Sequence, residues 1–184
     1  MSSSFASRLL VCLAIAGSWA GAAHAEGLVR ELKGGVLAHD VPGLWSGFRT
    51  ENDAVAVNVE AIFSPSLPLF GGVIRPALGA SIATEGGTSN VYLDARWEFE
   101  TSTGIFFSFG AGGTVHNGET KLLSFDQTAK ALGSRVLFHF PVELGYRFDR
   151  HNSVSIYFEH MSNGYTRDEN EGLDRLGVRY GYRF

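Results

Sequence analysis

Apolar and polar residues alternate with a period of two along most of this sequence, and no other feature constrains the fold as strongly. In residues 91–99, for example, Leu93 and Phe99 share one parity while Asp94 and Arg96 share the other. The alternating stretches cover approximately residues 28–38, 55–63, 72–83, 91–99, 105–115, 136–148, 154–159 and 176–184. Successive side chains of a β-strand point to opposite faces, so each stretch predicts a strand with one apolar face. Gly, Pro, Ser, Asn and Asp between the stretches predict turns.

The polar residues of the alternating stretches share one face of the sheet and carry charges of both signs, which indicates that this face points into the interior. Its members are Asn58, Glu60, Asp94, Arg96, Glu98, Glu143, Arg147, Glu159 and Arg179. Such residues can pair inside a narrow barrel, and a barrel of eight strands is just wide enough for side chains to fill it. Strands of about ten residues also cross a bilayer at a tilt. We therefore predict an all-β fold, an eight-stranded antiparallel transmembrane β-barrel of the outer membrane. The alternative is a soluble lipocalin-like barrel with its apolar faces inward.

The beginning of the chain has the pattern of a secretory signal. Arg8 precedes an apolar stretch over residues 9–16, and Ala23-His24-Ala25 is a small-x-small cleavage site. We therefore predict a signal peptide over residues 1–25 and a single barrel domain over residues 26–184. An alternating last strand that ends on Phe184 is typical of outer-membrane barrels. These features together predict export to the outer membrane of a Gram-negative bacterium.

Composition limits the partners of the exported domain. The formal net charge of the chain is −4 at pH 7, which disfavours nucleic acid as a partner. The single cysteine falls within the predicted signal peptide, so the exported domain must fold without disulfides. No Cys/His cluster has metal-ligand spacing and no glycine-rich loop opens a helix, so we expect neither a metal nor a cofactor.

A candidate site for nucleophilic chemistry follows the seventh alternating stretch. Val154 and Ile156 lie on its apolar face, and steps of two place His160 and Ser162 on that same outward face, near the membrane interface. A serine hydroxyl needs an adjacent base to act as a nucleophile, and the His160 ring can reach Ser162. Asp174 opens the next strand, where it could orient the imidazole. On spacing alone, the alternative that His160 and Ser162 are merely interfacial polar residues stays open.

The oxyanion of an ester hydrolysis would need hydrogen-bond donors close to the nucleophile. The nearest candidates are the Asn163 side chain and the backbone N–H groups of Asn163, Gly164 and Tyr165. Phe158 and Met161 are apolar neighbours that could seat an acyl chain. A substrate presented to an outward-facing site at a membrane is more naturally a lipid ester than a soluble molecule.

The segment His160-Met161-Ser162-Asn163, followed by Asn170-Glu171-Gly172-Leu173-Asp174, resembles the catalytic region of the PagL-type lipid A 3-O-deacylases. That family consists of outer-membrane esterases built on eight-stranded barrels. The resemblance implies that His160 is the base, Ser162 the nucleophile and Asp174 the acid, and that Asn163 contributes to the oxyanion site. Asp174 stands where the family usually has Glu, and its side chain is shorter by about one C–C bond of 1.5 Å. The bulky Tyr165 after Gly164 is a second departure.

The resemblance also implies a reaction and its partners. The substrate would be lipid A within lipopolysaccharide, and the reaction would be hydrolysis of its 3-O-linked acyl chain by a serine esterase without a cofactor. The other expected partner is outer-membrane lipid, and a homodimer stays open. Two alternatives remain at this point. One is a small outer-membrane barrel without catalytic activity, and the other is a phospholipase or acyltransferase that uses the same His/Ser site.

Overall fold

A computed structural model describes residues 27–51, 55–122 and 129–184 of the chain. The strands are β1 (Val29–His39), β2 (Val55–Phe63), β3 (Leu67–Leu69), β4 (Gly72–Ala83), β5 (Asn90–Glu100), β6 (Ile105–His116), β7 (Val136–Arg147), β8 (Asn152–Ser162) and β9 (Leu173–Arg183). The predicted signal peptide, residues 1–25, lies outside the described residues. No helix in the described ranges is long and apolar enough to cross a membrane.

The eight long strands form one closed antiparallel sheet. Each long strand pairs with its neighbours in the chain, β1 pairs with β9, and β2 pairs with β4. The short β3 pairs only with β4 and stands outside this ring. Closure gives every long strand two partners, which removes the unpaired edges that lipid could not satisfy. The prediction of an eight-stranded antiparallel barrel is therefore confirmed.

Paired charges fill the interior of the barrel. Glu143 accepts hydrogen bonds from Lys33 at 2.9 Å and from Arg179 at 2.6 Å, and all three side chains are buried. His139 lies between Asp94 at 3.0 Å and Glu159 at 3.2 Å. Such pairing makes buried charge tolerable because each ion regains partners for the water it has lost. The predicted assignment of the charged parity to the interior is confirmed.

The apolar parity faces outward along the strands. Exposed members include Val57, Leu78, Leu93, Phe107, Phe109, Val142, Leu144, Ile156, Val178 and Tyr180. A soluble lipocalin-like barrel would hide these side chains, so the structure rules out that alternative. An outward apolar band around a charged interior is the arrangement of transmembrane barrels.

The two ends of the barrel differ in the length of their connections. At the end where β1 begins and β9 ends, residues 101–104 and 148–151 form tight turns, and residues 64–71 form a connection that contains β3. The other end carries, within the described chain, residues 40–51, 84–89, 117–122, 129–135 and 163–172 of the connections. Strand β8 reaches Ser162 and β9 begins at Leu173, so both strands extend further toward this end than their alternating stretches predicted. The candidate site thus lies at the end with the longer connections.

Candidate active site

Strands β8 and β9 bring together the three residues predicted to carry the chemistry. His160 and Asp174 are direct cross-strand partners in the antiparallel register. The Nδ1 atom of His160 lies 2.6 Å from Asp174 Oδ1, and its Nε2 atom lies 2.9 Å from Ser162 Oγ. Direct pairing explains how the shorter Asp reaches the imidazole. The result is a continuous hydrogen-bonded chain from carboxylate to imidazole to hydroxyl, the arrangement that activates a serine.

His160 and Ser162 continue the outward parity of β8, but the imidazole is shielded. The facing positions on β7 are Phe140 opposite His160 and Phe138 opposite Ser162. The indole of Trp45 stacks on the imidazole with the ring centroids 4.3 Å apart and the planes 11° from parallel. His160 is consequently only 3% exposed. The site therefore opens toward the outer surface of the barrel at Ser162, while the His160 imidazole is shielded from solvent.

A loop that sequence reasoning missed completes the surroundings of the acid. The backbone N–H of Ser46 donates to Asp174 Oδ2 at 2.6 Å, and Ser46 Oγ lies 3.5 Å from His160 Nδ1. Both carboxylate oxygens of Asp174 are thus engaged, one by the imidazole and one by the loop after β1. No local sequence signal marks this contact, because the two residues meet only once β1 lies beside β9.

Asn163 occupies a different position from the one expected of an oxyanion donor. Its Nδ2 atom donates to the carbonyl of Leu132 at 3.0 Å and to that of Glu169 at 2.5 Å. Its backbone N–H donates to Asn170 Oδ1 at 3.2 Å. The side-chain amide of Asn163 therefore joins two loops next to Ser162, and both carbonyls take hydrogen bonds from its Nδ2 group.

Gly164 begins a tight turn two residues after Ser162. Gly164 and Tyr165 both have φ of +62°, and Thr166 closes the turn onto the Asn163 carbonyl. A Cβ atom at Gly164 would lie 3.1 Å from the Phe138 ring, in a backbone conformation that side chains rarely adopt. Glycine at this position therefore lets the chain turn away while Phe138 remains next to Ser162.

The two apolar residues expected to contact an acyl chain point to opposite sides of the barrel wall. Phe158 lies on the outward parity and is half-buried. Met161 points inward, is 1% exposed and packs with Leu132, Leu137 and Leu173. The expectation for Met161 was wrong, because the strict alternation of β8 continues to its end and makes Met161 point inward like Glu159.

Among the described residues, no group of three His, Cys, Asp or Glu side chains is placed to hold a metal ion.

A closed barrel with an outward apolar band, a charged interior and a Ser–His–Asp arrangement at its rim defines a class, the outer-membrane barrel hydrolases. The family model of lipid A 3-O-deacylase (PagL) matches residues 77–183, more than half of the chain, and the chain belongs to this family. The chain and the crystal structure of the outer membrane enzyme PagL share 16% identity and a TM-score of 0.62, covering 84% of this chain and 99% of that one.

Other solved barrels share the fold. Neisserial surface protein A is 11% identical with a TM-score of 0.56, covering 86% of this chain and 100% of its own. The N-terminal β-barrel domain of Pseudomonas aeruginosa OprF is 14% identical with a TM-score of 0.51, covering 85% and 99%. Comparison with curated protein sequences finds no significant match. At these identities the structural likeness establishes the fold, and the family match establishes the relationship to lipid A deacylases.

Proposed function

We propose that this lipid A 3-O-deacylase is a serine esterase in which Ser162 is the nucleophile, His160 the general base and Asp174 the orienting acid. The observation that carries the proposal is the unbroken hydrogen-bond chain of 2.6 Å and 2.9 Å that runs from Asp174 through His160 to Ser162. Asp174 holds the proton on Nδ1, which leaves Nε2 free to accept the serine proton.

The reaction then follows in two halves. His160 Nε2 takes the proton from Ser162 Oγ as the oxygen attacks the carbonyl carbon of the 3-O-linked acyl ester. The tetrahedral intermediate collapses, the bond between the acyl carbon and the sugar oxygen breaks, and the imidazolium gives its proton to that departing oxygen, which becomes the 3-hydroxyl of lipid A. Water, deprotonated by His160, next attacks the acyl-enzyme and regenerates Ser162. The products are a 3-hydroxy fatty acid and lipid A with a free 3-hydroxyl group.

Two donors beside the nucleophile are available for the oxyanion. Within the described residues, neither the backbone N–H of Gly164 nor the Nδ2 group of Asn170 donates to a protein acceptor. Asn170 lies close to the serine because its Oδ1 atom accepts the Asn163 N–H at 3.2 Å. We assign both groups to the oxyanion, where removing one such donor costs about 10²- to 10³-fold in rate. Asn163 contributes by holding the loop that carries Gly164.

The outward position of the site suits a substrate that lies in the membrane beside the barrel. Phe138 is 49% exposed and faces Ser162 directly across the β7–β8 pair. Phe138 and the half-buried Phe140 offer an apolar surface for an acyl chain whose ester meets Ser162. The longer connections of outer-membrane barrels are extracellular, which supports a site on the outer-leaflet side, where lipopolysaccharide lies. Every group invoked comes from one chain, so the proposal does not require a homodimer.

The decisive test replaces the nucleophile. We expect Ser162→Ala to abolish release of the 3-O-linked acyl chain, scored by mass spectrometry of lipid A from cells that express the variant. Ser102→Ala is the matched control, because Ser102 is an exposed serine in the turn at the opposite end of the barrel. Heat-modifiable gel migration confirms that both variants form a barrel. Undiminished deacylation by folded Ser162→Ala would refute the serine mechanism.

We also propose that residues 1–25 direct export and are then removed. The proposal is supported by the charged, apolar and small-residue regions described for that segment. Amino-terminal sequencing of the protein recovered from the outer membrane should begin at Glu26. A mature chain that retains Met1 would contradict this proposal without affecting the catalytic one.

A further inference from the structure

The loop that covers His160, residues 41–50, is a closed structure with its own internal bonds. We call it the covering loop. At its base, Asp40 Oδ2 accepts the backbone N–H of Glu51 at 2.6 Å, which joins the two ends. Within it, the N–H of Gly43 donates to the carbonyl of Gly47 at 2.6 Å, and both glycines have positive φ. Loops closed in this way hold a defined shape, because their ends and turns are fixed by hydrogen bonds.

Neighbouring connections hold the covering loop in place. Buried Lys130 donates to Asp40 Oδ1 at 2.7 Å and to the carbonyl of Gly172 at 2.8 Å. Arg49 pairs with Glu171 at 2.5 Å. The connections before β2, before β7 and before β9 are therefore cross-linked at the rim of the barrel. The N–H of Val41 adds a bond to the Asp174 carbonyl at 3.0 Å, immediately beside the site.

Two groups of the covering loop directly contact the hydrogen-bonded series formed by Asp174, His160 and Ser162. The Trp45 indole lies flat on the His160 imidazole, and the Ser46 N–H engages the Asp174 oxygen that His160 does not use. Phe140 lies beside this stacked pair, with its ring centroid 5.7 Å from that of Trp45 and 6.5 Å from that of the imidazole. An imidazole that is hydrogen-bonded at both nitrogens can still swing about its Cβ–Cγ bond when Ser162 is acylated. A flat ring stacked on its face removes that freedom.

We propose that Trp45 is a positioning residue that holds the His160 ring in the plane of the Asp174–His160–Ser162 chain, with Ser46 N–H fixing the acid. The inference rests on the proposed roles of Ser162 and His160, and it adds to them a component from the opposite end of the sequence. Its physical basis is that proton transfer requires the base within hydrogen-bond reach, and a displacement of about 1 Å costs on the order of 10²-fold in rate.

Trp45 is 61% exposed at the membrane-facing rim, so its competing role is contact with the acyl chain. The two roles differ in kinetics. Loss of positioning lowers kcat and leaves KM unchanged, whereas loss of a substrate contact raises KM. They also differ in a reaction that involves no lipid, the labelling of an activated serine by a small fluorophosphonate.

The experiment compares Trp45→Leu and Trp45→Phe in purified, detergent-folded protein with lipid A as substrate. We expect Trp45→Leu to lower kcat by about 10- to 100-fold with KM within twofold of wild type. Fluorophosphonate labelling of Ser162 should slow by a similar factor. Trp45→Phe keeps a flat ring and should recover most of both rates. Phe48→Ala is the matched control, because Phe48 is an exposed aromatic residue of the same loop without a ring partner among the described residues.

Rates are expressed per folded molecule, with the folded fraction read from heat-modifiable migration. Wild-type kcat and labelling in Trp45→Leu would overturn the inference. A raised KM with unchanged kcat and labelling would also overturn it and would make Trp45 a substrate contact. Wild-type protein that deacylates lipid A without labelling at Ser162 would instead refute the nucleophile assignment, and this inference with it. A Trp45→Phe variant as slow as Trp45→Leu would contradict the role of the flat ring.

Discussion

Replacing Asp174 by Asn changes one atom, yet the structure predicts a large kinetic effect. Two fixed donors point at the carboxylate, His160 Nδ1–H and Ser46 N–H, each at 2.6 Å. An amide has only one acceptor oxygen, so it can satisfy only one of them. The backbone N–H of Ser46 is always a donor, whereas the neutral imidazole of His160 can carry its proton on Nε2 instead of Nδ1. The amide oxygen therefore binds Ser46, and the amide NH₂ faces His160.

That orientation makes His160 carry its proton on Nε2, where it no longer accepts the proton of Ser162. In a serine-protease triad the same exchange of acid for amide lowers kcat by about 10⁴-fold through the wrong tautomer. At 1.36 kcal/mol per factor of ten, this is about 5 kcal/mol of transition-state stabilisation. We expect Asp174→Asn to lose between about 10³- and 10⁴-fold in kcat. Asp174→Glu keeps both acceptors and should lose far less.

The assay is the initial rate of 3-hydroxy fatty acid release from lipid A by purified, folded protein, supported by the rate of fluorophosphonate labelling at Ser162. Asp174→Glu is the matched control, because it carries the charge on a side chain longer by about 1.5 Å. Turnover of Asp174→Asn within a few-fold of wild type would show that Asp174 only closes the β8–β9 connection. Equal losses in Asn and Glu variants would show that side-chain length, and not acceptor number, governs the rate.

Three further predictions test the barrel that supports the site. Lys130→Met should remove the cation that pairs with the buried Asp40 carboxylate and loosen the covering loop, lowering kcat by about tenfold and increasing proteolysis at the rim while the barrel stays folded on gels. Glu143→Gln should lower the free energy of unfolding by about 3 kcal/mol, because Lys33 and Arg179 lose a buried counter-ion; denaturant titration in detergent measures it, and an unchanged midpoint would contradict it. Phe184→Ala should reduce the yield of protein in the outer membrane without changing activity per folded molecule, and normal yield with lost specific activity would place Phe184 in the site instead.

The barrel could be predicted from the sequence because period-two alternation is a local property. The alternation within a stretch such as residues 91–99 shows which residues point inward and which point outward. The charged residues among the inward-pointing ones indicate that the interior is polar. The pairing of His160 with Asp174 was also accessible, since consecutive antiparallel strands must bring their facing ends together. The outward parity of His160 and Ser162 required only counting from Val154.

What lay beyond prediction depends on contacts between distant parts of the chain. Trp45 and Ser46 approach His160 only because β1 pairs with β9, and no residue near them in the sequence signals this. Asn163 has the right residue type for an oxyanion donor, but its amide is bound by carbonyls of two loops whose paths are not encoded in a periodic pattern. Met161 was misplaced for a simpler reason, since its parity was readable and its apolar character was given more weight.

The covering loop has a consequence for when this enzyme can act. The proposed nucleophile, base and acid come from the last two strands, whereas the groups proposed to fix them follow the first strand, with Ser46 and Asp174 separated by 128 positions. The β1–β9 seam is the contact between the first and last strands of the barrel. In a chain in transit, with this seam open, the covering loop does not yet lie over the proposed triad. Esterase activity should therefore appear together with seam closure during refolding, which would keep an unassembled chain from attacking lipids before it reaches its membrane.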